Sequence, residues 1–200
     1  MIRSLPSGVC ALLVLTCMGI STCQLQRPKA TPTRMIEPQL LEPQLAESET
    51  QAPKIPVAAV VRLLGAQALG HIGRPVLHQL PDGELTEDPV WRWASRPEQY
   101  LDTAIRLEAA RSPDLRLVDS GRAPALAATL LVWDLESTGG TRLVGAVEFQ
   151  ITSPEGMVKR KVVRSSEQVS AELPGNLAAA AGRLFRRLAS EGLTLATSKG

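Results

Sequence analysis

Leu143-Val144-Gly145-Ala146-Val147-Glu148-Phe149-Gln150-Ile151 alternates with a period of two, and its reading decides the fold. Leu143, Gly145, Val147, Phe149 and Ile151 fall on one side, Val144, Ala146, Glu148 and Gln150 on the other. Successive strand side chains point to opposite faces, so this stretch reads as a β-strand. Thr138-Gly139-Gly140 turns into it from Leu126 to Leu135 (LAATLLVWDL), whose second half is apolar on both faces, as a central strand should be. Ser153-Pro154-Glu155-Gly156 turns out of it toward Met157–Val169. There Val158 and Val162 are interleaved with Lys159, Arg160, Lys161 and Arg164, a strand with a solvated basic face. A short strand, Leu115–Val118, closed by Ser120-Gly121, precedes these three.

Working outward, Ile55-Pro56-Val57-Ala58-Ala59-Val60-Val61-Arg62-Leu63 is β-branched and apolar, with proline only near its start, where a strand tolerates it. Ile72–Leu80 (IGRPVLHQL) reads as a second strand, with Pro75 suggesting an edge, and Pro81-Asp82-Gly83-Glu84 as a turn. Val90–Leu101 reads as the lead-in to a helix, with Ser95 and Glu98 spaced as a capping box and Pro97 in the first turn. Leu101, Ala104, Ile105 and Leu107 form its apolar stripe, and Ser112-Pro113 ends it. A last helix runs from about Leu173 to Glu191, with Leu177, Ala180, Ala181, Leu184 and Leu188 on one face and Arg183, Arg186 and Arg187 turned away. Gly192 is placed as its stop. The order ββ-α-ββββ-α predicts one α+β domain over residues 55–195, two helices on one face of a largely antiparallel sheet.

The N-terminus reads differently. The chain's three cysteines, Cys10, Cys17 and Cys23, all lie in the first 23 residues. Arg3 and the apolar run Val9–Ile20, too short for a span of roughly 20 residues, have the layout of a secretory signal over residues 1–23. Ile20-Ser21-Thr22-Cys23 resembles a bacterial lipobox, in which the cysteine becomes the lipid-modified first residue. Cys17, with bulky Leu15 before it, is the poorer candidate, and a plain cleaved signal or retained anchor is the alternative. Residues 24–54 are rich in Pro, Gln, Glu and Thr and read as an extended, disordered tether. Within it, Glu37-Pro38-Gln39-Leu40 recurs as Glu42-Pro43-Gln44-Leu45, a short binding motif or simple linker drift, with drift the favoured reading.

Hydrophobic residues are 44% of the chain and aromatics 3%, so the core must be built from Leu, Val and Ala. A net charge of +2 argues against nucleic acid as a partner. No cysteine follows Cys23, so the domain must hold together without an internal disulfide. His71 and His78 fall short of the three or four ligands a metal needs. No serine sits in a G-x-S-x-G elbow, and Asp82, Glu84, Glu87 and Asp88 read as a solvated loop. The expectation is no catalytic residue, no metal site and no cofactor. Lys159-Arg160-Lys161 with Arg164 suits lipid head groups, an acidic partner or plain solvent. Trp91, Trp93 and Tyr100 are the candidate interaction residues, since Trp and Tyr are enriched at interfaces. Trp91 and Trp93 differ by two and so fall on the same side of an extended chain, which makes packing in the core the favoured reading.

Gly83-Glu84-Leu85, then Trp91-Arg92-Trp93-Ala94, Pro97 and Tyr100-Leu101 opening a helix, resemble the "RW(A)-x-x-P-x-x-x-L" stretch of the ABC-type transport auxiliary lipoproteins. This is the group that includes the paraquat-inducible membrane-integrity lipoprotein. The likeness spans about residues 55 to 192 and takes in Leu117-Val118, Leu130-Leu131-Val132-Trp133-Asp134, Val144–Ile151 and the final Ala/Leu/Arg-rich helix. The long Pro-rich tether and Thr22 before the cysteine depart from the family pattern. The resemblance implies a non-enzymatic auxiliary of an ABC/mammalian-cell-entry-type lipid transport system. Its partners would be a mammalian-cell-entry-type substrate-binding protein, a permease and an ATPase. It also implies lipid anchoring through Cys23 to the periplasmic face of the outer membrane, with homo-oligomeric rings in some relatives. Gln24 after the cysteine, rather than Asp, fits outer-membrane sorting. A soluble periplasmic lipid-binding domain and an outer-membrane assembly lipoprotein are the alternatives.

Overall fold

The three-strand meander read from the sequence is the spine of the fold in the computed structural model, which describes residues 32–40, 59–137, 140–170 and 175–197. The signal segment with Cys17 and Cys23 lies outside the described residues, as do tether residues 41–54. In chain order the elements are β1 (Arg34–Ile36), β2 (Ala59–Ala68), β3 (Pro75–Gln79), β4 (Leu85–Trp93), α1 (Pro97–Arg111), β5 (Leu115–Val118), β6 (Ala125–Glu136), β7 (Arg142–Thr152), β8 (Val158–Gln168) and α2 (Gly175–Thr197).

β6, β7 and β8 pair antiparallel along nearly their whole lengths, from Ala125↔Thr152 to Glu136↔Arg142 and from Arg142↔Gln168 to Thr152↔Val158. The other edge of β6 is shared. β2 pairs parallel with its first half, Arg62↔Ala125 to Ala68↔Leu130, and β3 parallel with its end, His78↔Leu135 and Gln79↔Glu136. β2 and β3 thus form one interrupted strand along β6. Outside it, β5 pairs parallel with β2, and β4 pairs antiparallel with β3. The domain is α+β, as expected, on an eight-stranded mixed sheet. Its long ladders are antiparallel, while β2, β3 and β5, which follow crossovers or interruptions, pair parallel.

Both helices pack on one face, meeting Leu126, Leu130, Leu143, Val147, Phe149 and Val163 from the strands with Leu101, Ile105, Leu177, Leu184 and Leu188 from α1 and α2. All eleven side chains are buried. Shape at two glycines sets how closely α2 approaches. A Cβ on Gly192 would lie 2.2 Å from the Phe149 ring, so this glycine is a contact point inside α2 and not the stop its position suggested. On the sheet side, a Cβ on Gly145 would lie 2.9 Å from Leu188 and 3.1 Å from the Trp133 ring.

Four other expectations are corrected. β4 is a strand where a helix lead-in was expected; its alternation is masked by polar residues, Thr86 and Asp88 among them, and by Pro89. β3 is not an edge strand: Pro75 is tolerated as its first residue, before pairing with β6 begins at His78. The capping box does not form. The N-cap of α1 is Arg96, whose guanidinium has no acceptor for a helix amide, and the Ser95 amide that Glu98 would take in a capping box donates to the Tyr100 hydroxyl at 2.7 Å. Pro97 does open the helix.

The fourth concerns the tether. Residues 34–36 form β1, parallel to β4 in the register Arg34↔Trp91, Met35↔Arg92, Ile36↔Trp93. Ile36 and Leu40 are 2% and 8% exposed, respectively, so this part of the Pro-rich segment belongs to the fold. Its proline content concealed that, because Pro38 falls just after the strand, where no ladder amide is required.

Candidate interaction surface

The aromatic candidates separate on folding. Trp93 is 1% exposed and Tyr100 5%. Trp93 lies 5.7 Å from Trp133, Trp133 stacks on Phe185 at 4.0 Å, and Tyr100 lies 6.1 Å from Phe185. These four form an aromatic column between sheet and helices, so Trp93 and Tyr100 serve the core and not an interface. Extended chain puts Trp91 on the same side as Trp93, but near the rim, where it is half-buried. The Arg34 guanidinium sits 5.4 Å over its ring, and Met35 beside Arg34 is 55% exposed. Trp91 is therefore the one of the three that reaches the surface.

Next to it lies a groove already filled by the chain itself. Ile36 accepts at its carbonyl from the Ala94 amide at 2.8 Å. The Tyr100 hydroxyl donates to Glu37 Oε2 at 2.9 Å, and burial together with this bond raises its pKa. The Gln39 amide donates to the Ala178 carbonyl of α2 at 3.1 Å. Arg186 donates to the carbonyls of Gln39 and Leu40 at 3.3 and 3.1 Å. A Cβ on Gly182 would lie 2.0 Å from the Gln39 carbonyl oxygen, so only glycine lets this backbone cross α2 there. Sequence reasoning registered the Glu-Pro-Gln-Leu repeat but missed this contact, whose signal was a glycine inside an Ala/Leu-rich helix.

The face of the sheet opposite the helices carries charge. Asp134 and Glu136, two residues apart on β6, share it, and both are buried. Glu136 is clamped by Arg142 at 2.9 and 2.5 Å and by Arg164 at 3.1 Å. Asp134 has no such clamp; its Oδ1 is buried without a hydrogen-bond partner among the described residues. Burial, and then the neighbouring Glu136 charge, push the Asp134 carboxyl above its ordinary pKa, against the pull of Arg164 and His71. Val158 and Val162 are 50% and 59% exposed on this face, alternating with Arg160 and Arg164.

The basic run lies on β8, which among the described residues pairs with β7 alone. Lys and Arg on an edge strand discourage pairing with other chains. Lys161 also reaches the Glu191 carbonyl and Thr194 Oγ1 of α2, and Arg183 and Arg187 bind Glu167. The arginines of α2 thus face β8 and the strap formed by residues 34–40 rather than away from the domain.

His78 pairs with Asp88 at 2.9 Å, between β3 and β4. Burial would raise the Asp88 carboxyl, but amide bonds from Trp91 and Val90 and the His78 contact outweigh it and hold the pKa below its ordinary value. Asp88 is thus a structural clasp around Pro89, not a solvated loop residue. His71 lies on the exposed connection between β2 and β3. Among the described residues, no three or more His, Cys, Asp or Glu side chains converge as a metal site. The hollows include an open, mainly apolar cleft of about 300 Å³ where Val61, Ile151, Met157 and Leu195 meet. Among the described residues, no helix is long and apolar enough to cross a membrane.

No family model matches the chain, and no curated protein matches it. Solved structures do share its fold. A Xanthomonas campestris protein described under the family DUF330 superposes with a TM-score of 0.64 at 15% identity, over 82% of this chain and 96% of that one. An uncharacterised protein superposes with a TM-score of 0.57 at 13% identity, over 72% of this chain and 94% of that one. A minor lipoprotein from Acinetobacter baumannii gives a TM-score of 0.39 at 13% identity, over 70% and 94% of the two chains. The first two likenesses extend over nearly the whole of those chains and establish a shared architecture.

Proposed function

We propose that this chain is a non-enzymatic auxiliary lipoprotein of an ABC-type, mammalian-cell-entry-class lipid transport system. In this reading it is anchored through acylated Cys23 on the periplasmic face of the outer membrane. The observation that carries the proposal is Ile20-Ser21-Thr22-Cys23, a lipobox-like string closing a short apolar run at the head of a chain with no later cysteine. The family-like stretch from Trp91 to Leu101 supports the assignment to transport. Acyl chains supply the anchoring that one short apolar run cannot, since stable attachment takes more than one chain. The domain contributes a docking surface, and Trp91 with Arg34 and exposed Met35 is the patch suited to it. Its partners are a mammalian-cell-entry-type substrate-binding protein with its permease and ATPase, supporting lipid traffic between inner and outer membranes.

Mass spectrometry of the mature N-terminus tests the anchor: an acylated Cys23 is expected, and an unmodified terminus or one starting elsewhere overturns it. Affinity purification from the source membrane tests the assignment. Recovery of a permease, an ATPase and a mammalian-cell-entry-type protein is expected, and their absence overturns the transport reading. The apolar cleft at Val61, Ile151, Met157 and Leu195 favours one second reading, a periplasmic lipid-binding domain. Lipid co-purifying with the folded chain in a one-to-one ratio would select it.

A further inference from the structure

The groove that holds residues 34–40 is lined by contacts to a residue pattern that the sequence contains twice. In the register observed, Met35-Ile36-Glu37-Pro38-Gln39-Leu40 crosses from the edge of β4 to α2. Its anchors are the buried Ile36 and Leu40, the Glu37 carboxylate on Tyr100, and the Gln39 backbone lying on Gly182. Five residues on, Leu40-Leu41-Glu42-Pro43-Gln44-Leu45 repeats the whole pattern: two large apolar residues, then Glu-Pro-Gln-Leu. The match therefore extends two residues upstream of the tetrapeptide, to the strand positions that the β4 edge reads. Every anchoring position is filled by the same residue or, for Ile36, by leucine at 41.

We propose that the groove between β4, Tyr100 and Gly182 is a peptide-recognition site for this six-residue pattern, and that residues 40–45 are its second ligand. The strap then docks in two registers five residues apart. Leu41 replaces Ile36, Glu42 accepts from Tyr100, and Gln44 crosses Gly182 and donates to the Ala178 carbonyl. The first register is favoured because Arg34 lies over Trp91. In the second, Gln39 occupies that position and the cation–π contact is lost. Chain length permits the exchange. In the second register residues 46–58 must return to β2, and thirteen extended residues reach about 43–47 Å. That exceeds the diameter of a domain with a radius of gyration of about 15 Å. If the N-terminus is anchored as proposed above, on which this one consequence rests, each exchange lengthens or shortens the free tether by about 17 Å.

The test follows backbone amide exchange in the full chain. In the unaltered protein the Gln39 amide is protected. In Ile36→Asp, protection at Gln39 is expected to fall by about tenfold or more while that at Gln44 rises by a similar factor. Leu41→Asp is expected to leave the Gln39 amide unchanged, and the double variant to lose both. Loss at Gln39 without gain at Gln44, or unfolding of Ile36→Asp, overturns the proposal, because residue 36 is free of the groove in the second register. A deletion of residues 36–40 brings Arg34-Met35 directly before Leu41-Glu42-Pro43-Gln44-Leu45. It is expected to keep the thermal midpoint of the full chain, whereas deletion of 36–45 lowers it; equal losses in the two also overturn the proposal. None of these readouts depends on whether Cys23 carries lipid.

Discussion

Single residues in this domain are decided by what they touch, and three of them invite direct tests. Ala in place of Gly in an open helix stabilises by about 1 kcal/mol. At position 192 the added methyl would meet the Phe149 ring at 2.2 Å. The sign therefore reverses, and Gly192→Ala is expected to destabilise by about 1–3 kcal/mol, read from chemical denaturation. Asp134 is tested by pH. Its folded pKa is raised by burial and by Glu136, so between the unfolded and folded values the native state binds more protons than the unfolded chain. Stability contributed through this group accordingly falls as pH rises through that window, starting near 4 for an unfolded Asp. Asp134→Asn should be more stable than the parent at neutral pH, with the gain shrinking as pH falls toward 4. Asp88 has the opposite sign: its lowered pKa supplies stability present above the unfolded value and lost as pH falls. Asp88→Asn should therefore destabilise at neutral pH and approach the parent in acid.

At the scale of elements, the strap and β8 behave unlike ordinary surface segments. Residues 34–40 add a strand to β4 and two buried side chains to the core, so removing them is not neutral. A chain starting at Lys54 lacks both copies of the docking pattern. Loss of one buried Ile or Leu side chain typically costs about 2–5 kcal/mol, and each kcal/mol moves the midpoint of a chain this size by roughly 2–4 °C. The shortened chain is expected to melt several degrees below the full chain in calorimetry. An unchanged midpoint would show that the strap binds without stabilising. β8 holds α2 through Glu167, which takes both Arg183 and Arg187, and through Lys161 at the Glu191 carbonyl. These contacts tie an edge strand to the helix behind it, which is how a strand so rich in exposed basic side chains stays in register.

For the whole molecule, the helices cover one face of the sheet and leave the other to a mixture of clamped charges and exposed valines. The function proposed above requires an anchor and a docking surface, and the two can be tested separately by mutation. Trp91→Ala removes a half-buried rim side chain and its Arg34 contact, and should leave the domain folded with a stability loss below that of a core Trp, about 3–5 kcal/mol. It is expected to reduce recovery of the transporter partners from membranes. Cys23→Ala should abolish acylation and release the folded chain from the membrane fraction. Normal partner recovery with Trp91→Ala would move the docking surface elsewhere, most directly to the open sheet face at Val158 and Val162.

What the sequence determined alone is what depends on neighbours in the chain. The alternation from Leu143 to Ile151 set β7, Ser153-Pro154-Glu155-Gly156 set the turn after it, and the apolar spacing from Leu177 to Leu188 set α2, because these patterns are local geometry. The class followed: α+β, with both helices on one face. Only the tertiary structure decided the rest, because it depends on partners distant in sequence. Gly192 reads as a helix stop until Phe149 is laid across it, and Gly182 has no visible purpose until Gln39 crosses α2 there. β1 is three residues in a proline-rich stretch, with too little local pattern to register as a strand; its strand character is supplied by the free edge of β4. Trp93 and Tyr100, in a short aromatic cluster, could serve core or interface by sequence alone, and are core because Trp133 and Phe185 arrive from β6 and α2 to meet them. Asp134 reads as one polar residue at the end of an apolar strand. Its carboxyl is pushed above its ordinary pKa only because folding buries it, and then because Glu136 lies beside it, against the pull of Arg164.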